Sequence, residues 1–243
     1  MAQPDTTWKV LQHDAMQQLA DNLWSVEGDL PNMQLRRRML IARMPSGDLV
    51  IHNAIALDDA GMAQLEALGR PAWLVVPNGW HRIDAPRFKA RYPDLRVICP
   101  RDSRKRVSEV VQVDATYDEF PRTEPGSPTV WFEHFGGNKA MEGAMYVRSS
   151  DGVTVILGDS LFNLQHMTGL FGLIYGRLLG NAGGPKVTLI SRMFLLAGGD
   201  KANFRAWMER TAAIPGLVRA IPGHGDVIGP DAAGALKAVA ETL

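Results

Sequence analysis

The chain predicts a mixed α/β fold, and two sheets packed face to face with helices outside would satisfy its element order. Three observations predict it. The first third carries a strand–turn–strand signal, residues 58–99 alternate helix and strand, and the second half opens with strands and ends with helices.

Leu23-Trp24-Ser25-Val26 reads as a short apolar strand. Gln34–Met44 and Leu49–Ile55 flank Pro45-Ser46-Gly47-Asp48, where proline presets φ and glycine accepts a positive one, so the pair reads as a hairpin. Asp58–Leu68 has Met62, Leu65 and Leu68 at helical spacing, with Asp58 placed as N-cap. Ala72–Val76 and Arg96–Cys99 are unbroken apolar runs, as expected of strands buried on both faces, and Pro86–Tyr92 between them reads as a helix. Thr129–Glu133, Met145–Val147 and Val153–Leu157 read as strands, the last two joined at Ser150-Asp151-Gly152. Lys201–Ala213 is a helix with Phe204, Trp207 and Met208 on one side, Leu217–Ile221 a strand, and Ala232–Leu243 a closing helix.

At 243 residues the chain suits one large domain or two small ones, and one domain over residues 1–243 is expected. Lys plus Arg and Asp plus Glu number 26 each, so no basic field argues for nucleic acid. Cys99 is the sole cysteine, which excludes an internal disulfide and a cysteine-rich zinc site. The N-terminus lacks the basic flank and apolar stretch of a signal peptide, so a cytoplasmic location is expected. The most apolar segment, Leu161–Leu179, is interrupted by Asn163, Gln165, His166 and Arg177 and falls short of the run of about 20 apolar residues that spans a bilayer. Its glycines 169, 172, 176 and 180 permit close packing. Three outcomes satisfy that: burial in the core, an apolar wall beside Asp159, or contact with a second copy in a homodimer.

Two segments carry chemistry. Gly158-Asp159-Ser160-Leu161-Phe162 follows the apolar run 153–157, and Ile221-Pro222-Gly223-His224-Gly225 follows the run 217–221. A carboxylate and an imidazole on neighbouring strand ends suit a shared cation. In this order the segments resemble the last two metal motifs of the metallo-β-lactamase superfamily, and the resemblance extends over residues 22–230. It implies a four-layer αββα sandwich. The superfamily's opening His-x-His-x-Asp-His motif corresponds to the stretch after Val76, where Asn78, Trp80, Arg82 and Ile83 occupy the ligand positions. None of these suits a divalent transition metal. An Asn-x-x-His stretch, Asn78 to His81, stands in for the motif, as in a divergent branch of the superfamily.

The resemblance therefore implies at most one metal ion, Zn or Fe, or none. Asp159 and His224 are the ligands it retains, with His81 or Asp84 as a replacement and His134 in the place of the middle-loop histidine. Each has a plainer reading. Asp159 also suits a helix N-cap, His224 a turn, and Asp84, before Ala85-Pro86, a good N-cap with proline in the first turn. His134 departs from the family's spacing. His13, His52 and His166 have no supporting context. Phosphate-loop, dinucleotide-binding and Gly-x-Ser-x-Gly signatures are absent.

Two functions follow. One is a divergent metal-dependent hydrolase of an ester, lactone or thioester-like small molecule, with His81 and Asp159 catalytic and Asn78, Trp80 and Arg82 against the substrate. The other is a metal-free, catalytically decayed ligand-binding or dimerising protein on the same fold, with Trp80, Arg82 and Arg87 lining an organic-anion pocket.

Overall fold

Alternation within one strand sets the layering. The computed structural model describes residues 4–121, 128–135, 141–165, 172–178, 180–194 and 200–243. In β3 (Met33–Arg43), Met39 and Ile41 face one side and Leu40 and Ala42 the other, because successive strand residues point to opposite faces. Both faces are buried.

Among the described residues, β3 belongs to a seven-stranded sheet that runs in chain order: β1 (Gln17–Ala20), β2 (Leu23–Leu30), β3, β4 (Asp48–His52), β5 (Arg70–Val75), β6 (Arg96–Cys99) and β7 (Ala115–Thr116). The first four strands pair antiparallel, and β4 to β7 pair parallel. The hairpin turns where expected, with Gly47 at φ 83° and its N–H donating to the Met44 carbonyl at 2.9 Å. The strand expected through Ile55 stops at His52. Asn53 takes φ 56°, a left-handed conformation that asparagine tolerates, and turns the chain out of the sheet.

The second sheet has the order β13 (Leu217–Ile221), β10 (Gly152–Ile156), β9 (Gly143–Ser149), β8 (Val130–His134), with β10 and β13 parallel. Leu40, Val50, Val75 and Ile98 of the first sheet pack on Val130, Met145, Val147, Ile156 and Ile221 of the second. Outside the first sheet lie α1 (Asp59–Leu68) and α2 (Ala85–Arg91), which bury Met62, Leu65 and Phe88 on Ile41, Ile51 and Leu74. Asp58 caps α1 as expected, accepting from the Gly61 N–H at 2.7 Å. Two further helices, α3 (Arg104–Val107) and α4 (Leu189–Phe194), are short. Outside the second sheet lie α5 (Lys201–Ala212) and α6 (Ala232–Glu241). Phe204, Trp207 and Met208 of α5 meet Tyr146, Val153 and Val155 together with Leu236 and Val239 of α6. The order is helix, sheet, sheet, helix, the αββα sandwich expected.

Three short strands close the rim: β11 (Phe162–Leu164), β12 (Gly184–Lys186) and β14 (His224–Gly225). They pair Phe162 with His224 and Asn163 with Gly225, so the two chemistry-bearing segments lie side by side. Of the apolar stretch 161–179, Phe162 and Leu164 are buried in β11. Gly172–Leu178 forms a π-helix with Leu173 and Ile174 exposed, and residues 166–171 and 179, with His166, Gly169 and Leu170, lie outside the described residues. Among the described residues no helix is long and apolar enough to cross a membrane.

Candidate metal centre

Four strand ends converge on one point at the rim. His81 follows β5, Asn53 follows β4, Asp159 follows β10, and His224 opens β14 just after β13. Loops at the ends of parallel strands can vary without disturbing the sheet beneath them. His81 is aimed by Asn78, whose Oδ1 accepts from the N–H groups of Trp80 at 2.9 Å and His81 at 3.1 Å, an Asx-type turn. His224 depends on its glycines. Gly225 has φ 91°, and a Cβ there would lie 2.1 Å from the Asn163 carbonyl oxygen. A Cβ on Gly223 would lie 3.1 Å from the Gly158 carbonyl oxygen, to which the Gly223 N–H donates.

His81, Asp159 and His224 each offer one ligand atom, and these atoms lie within 4.8 Å of one another. Asp159 Oδ1 is 2.8 Å from His81 Nε2 and 3.2 Å from His224 Nε2. The outer partners fix the tautomers. His224 Nδ1 is 2.6 Å from the Arg36 carbonyl oxygen, which only accepts, so Nδ1 carries the proton. His81 Nδ1 is 3.1 Å from Asn53 Oδ1, and Asn53 Nδ2 donates to the Arg38 carbonyl at 2.8 Å, which fixes the amide's orientation. His81 thus also donates from Nδ1. In their neutral forms both rings aim an Nε2 lone pair at one carboxylate oxygen. Three acceptors cannot share that point without a cation, which a proton on an imidazole or a metal ion supplies. The donor set fits a metal: two imidazole nitrogens and a carboxylate oxygen, each ring oriented from behind. Asp159 retains 21% side-chain exposure against 8% and 4% for the histidines, so the group opens toward solvent at its carboxylate.

Asp159 Oδ2 accepts from Asn78 Nδ2 at 2.9 Å, and the same amide nitrogen donates to Glu142 Oε2 at 3.0 Å. Glu142 is fully buried. It accepts from the backbone N–H groups of Gly158 (3.0 Å), Asp159 (2.8 Å) and Ser160 (3.0 Å), and from the Ser160 hydroxyl. The Ser191 hydroxyl of α4 donates to the Asp159 carbonyl at 2.5 Å.

Electrostatics follow from this packing. Burial alone would raise Asp159, but the His81 charge and the hydrogen bonds from both histidines hold it well below the usual carboxylate range. Burial pulls His81 down, and the adjacent Asp159 carboxylate outweighs it and raises the imidazole above its ordinary value. Burial, then the Asp159 charge, pushes Glu142 up. A pH prediction follows for the ion-free protein. The raised His81 contributes stability that is complete below its unfolded value of about 6.5 and is lost as pH rises through the folded value. The depressed Asp159 contributes stability present above about 3.9 and lost as pH falls through its folded value. Melting temperature without metal should therefore fall as pH rises from 6 to 9. Added Zn²⁺ should reverse that fall, because coordination needs neutral imidazoles. Parallel slopes with and without Zn²⁺ in thermal scans would contradict this.

The other candidates stand apart from the trio. Asp84 is buried between Arg37 Nη2 and Arg87 Nη1, each at 2.5 Å, and accepts from the Ala56 N–H at 3.2 Å. It occupies the N-cap position of α2 but makes no side-chain cap, because its oxygens serve the arginines. His134 ends strand β8 rather than lying in a loop. Its Nε2 accepts from the Arg101 N–H at 3.1 Å, and burial lowers its pKa. Arg82 pairs with Glu109 at 2.7 Å and donates to the Arg106 carbonyl. Trp80 is partly exposed beneath the Arg106 guanidinium, 5.0 Å from the ring centroid. Trp80 and Arg82 line a hollow of about 400 Å³ with Asp5, Ile83, Pro86 and Arg106, and none of the trio forms its walls. Asn78 alone of the three proposed substrate contacts touches the centre. Asn53 and Glu142 were missed, since their partners lie far along the chain.

No protein-family model matches the chain, and no curated protein does. Solved structures do. The metallo-β-lactamase from Erythrobacter litoralis, with β-mercaptoethanol in its active site, superimposes with a TM-score of 0.63 at 13% identity, covering 94% of this chain and 96% of that one. The DIM-1 metallo-β-lactamase gives 0.60 at 11% identity over 96% and 99%. The enzyme from Hirschia baltica gives 0.59 at 11% identity over 96% and 98%. The chain thus has the metallo-β-lactamase fold, in a sequence far removed from these enzymes.

Proposed function

We propose that the chain is a metal-dependent hydrolase that uses one ion, Zn²⁺ or Fe²⁺, held by His81, Asp159 and His224. The observation that carries this reading is the convergence of two Nδ1-tethered imidazoles on Asp159 Oδ1. An ion bound there supplies Lewis acidity toward a carbonyl oxygen and lowers the pKa of water toward neutrality. The residues of the chain do the rest. Asn53 and the Arg36 carbonyl hold the rings with Nε2 forward. Asn78 holds Asp159 Oδ2, which leaves Oδ1 for the ion. His81 is a ligand on this reading and not a general base, because its one free lone pair faces Asp159.

A neutral carbonyl substrate, an ester, lactone or thioester, fits better than a phosphate. Five arginines of β3, the His81 loop and α2 are committed to acids, while Arg106 stacks on Trp80. Arg36 pairs with Asp14, Arg37 with Asp84, Arg38 with Glu27, Arg82 with Glu109, and Arg87 with Asp84 and Asp5. The exposed Leu173 and Ile174 of the π-helix supply apolar surface for a substrate chain or a second copy.

Elemental analysis of freshly purified protein tests the reading directly. About one equivalent of zinc or iron per chain is expected, with hydrolysis of aryl esters, lactones and acyl thioesters lost on chelation and regained with the ion. A second reading has its own support. A proton on His81 also satisfies the trio, so a metal-free ligand-binding protein on the same fold is chemically consistent. Protein that purifies without metal and takes up none from excess Zn²⁺ would favour it.

A further inference from the structure

We propose that Glu142 and Asn78 form a carboxylate–amide clamp that stands in for a second ion and positions Asp159 as a ligand for one. The inference rests on the single-ion reading above.

Residues 158–160 turn sharply at the end of β10 and leave three successive N–H groups pointing inward. Such a nest of donors attracts an anion. Glu142, which directly precedes β9, reaches into it and accepts from all three, and also from the Ser160 hydroxyl. A Cβ at Gly158 would lie 2.8 Å from Glu142 Oε2, so glycine is needed for the carboxylate to seat. The Asp159 backbone is thereby fixed from below, and the Ser191 hydroxyl fixes its carbonyl from the side.

The Asp159 side chain is fixed through Asn78. Two carboxylate oxygens, Glu142 Oε2 and Asp159 Oδ2, accept from its one amide nitrogen. Asn78 spends its two N–H bonds separating them, and its Oδ1 holds the His81 loop. A carboxylate that bridged two ions through both of its oxygens would need Oδ2 for the second. Here Oδ2 is committed to an amide. Asn78 and Glu142 are positioning residues: each acts on the ion through Asp159 or His81.

The test compares Glu142→Gln and Asn78→Ala with the native chain, reading Zn²⁺ affinity by chelator competition and the visible spectrum of Co²⁺-loaded protein. Glutamine at 142 places its NH2 either against the Gly158 and Ser160 N–H groups or against the Asp159 N–H and the Asn78 amide, and alanine at 78 releases Asp159 Oδ2. The affinity for Zn²⁺ should fall 10- to 100-fold in each variant, the usual effect of removing an outer partner of a metal ligand, and the Co²⁺ bands should shift. Variants that melt earlier yet bind Zn²⁺ and show Co²⁺ bands like the native chain would overturn the inference while leaving the single-ion reading intact. Should Glu142→Gln fail to fold, Asn78→Ala decides alone. Two equivalents of Zn²⁺ in the native chain would also overturn it. A native chain that takes up no ion would remove the reading beneath it and this inference together.

Discussion

An Asp159→Asn protein is expected to keep its fold and lose its ion. The substitution preserves shape, and the backbone of residue 159 is held by Glu142, Ser191 and the strand before it, none of which needs the side-chain charge. The ligand set suffers directly. An amide oxygen is a weaker donor than a carboxylate, and if the amide turns, its NH2 faces Asn78 Nδ2 or the intended ion. Outer partners of metal ligands are worth roughly 10- to 100-fold in affinity, so a directly coordinating carboxylate is expected to be worth at least about 100-fold. Zinc content after gel filtration should drop from about one equivalent to a trace, with hydrolytic activity falling in step. A second readout does not depend on metal. With the carboxylate gone, burial is the leading influence left on His81, so its imidazole should titrate below its ordinary value instead of above it. Proton NMR of the ion-free variant reports this directly. Native affinity for one equivalent of zinc in Asp159→Asn would remove Asp159 from the ligand set and with it the proposed centre.

Asp159 and His224 were legible in the sequence because each follows an apolar run with at most two residues between, where a sheet presents polar groups, and His81 through the Asn-x-x-His stretch that follows β5. The pairing of Phe162 with His224 shows why the two segments read as one signal: they are adjacent strands of the rim. What was not legible depends on distant partners. Asn53 looked like the interior of a strand, and only its left-handed backbone and the Arg38 carbonyl make it the residue that orients His81. Glu142 carries no local signal, because its donors lie at 158–160 and reach it only once β9 and β10 pair. The Arg36 carbonyl, as a backbone group, leaves no trace in residue type. The resemblance puts His134 in a loop, whereas β8 runs one residue past the apolar pattern and includes it. The Asp58 cap and the Phe204–Trp207–Met208 face were readable from residue pattern, whereas the four-layer order followed from the resemblance. The fates of charged groups were not, since Asp84 before Ala-Pro reads the same whether it caps a helix, binds a metal or anchors arginines.

Asp84 is the second place where a large effect is expected, and it separates structure from chemistry. Its carboxylate is 1% exposed and lies between two guanidiniums that are 4% and 8% exposed. Arg37 also donates to the Ala54 carbonyl at 3.2 Å, and Asp84 Oδ2 accepts from the Ala56 N–H. The cluster therefore ties β3 and α2 to the segment that follows Asn53. Replacing Asp84 with alanine leaves the buried Arg37 guanidinium without a counter-charge and leaves Arg87 only Asp5. Breaking a buried pair from one side costs about 3–5 kcal/mol, because the remaining charge has neither water nor partner. Total stabilities are typically about 5–15 kcal/mol, and a domain of this size moves by about 2–4 °C per kcal/mol, so Asp84→Ala should melt roughly 6–20 °C earlier. Replacing the cluster with apolar groups of similar volume, as in an Arg37→Met, Asp84→Leu, Arg87→Met chain, should recover much of the loss, since no buried charge is then unpaired. Zinc bound per folded chain should match the native protein in both variants at temperatures below their transitions. An Asp84→Ala chain that melts normally but has lost its ion would reverse the assignment and place Asp84 among the ligands in spite of its arginines.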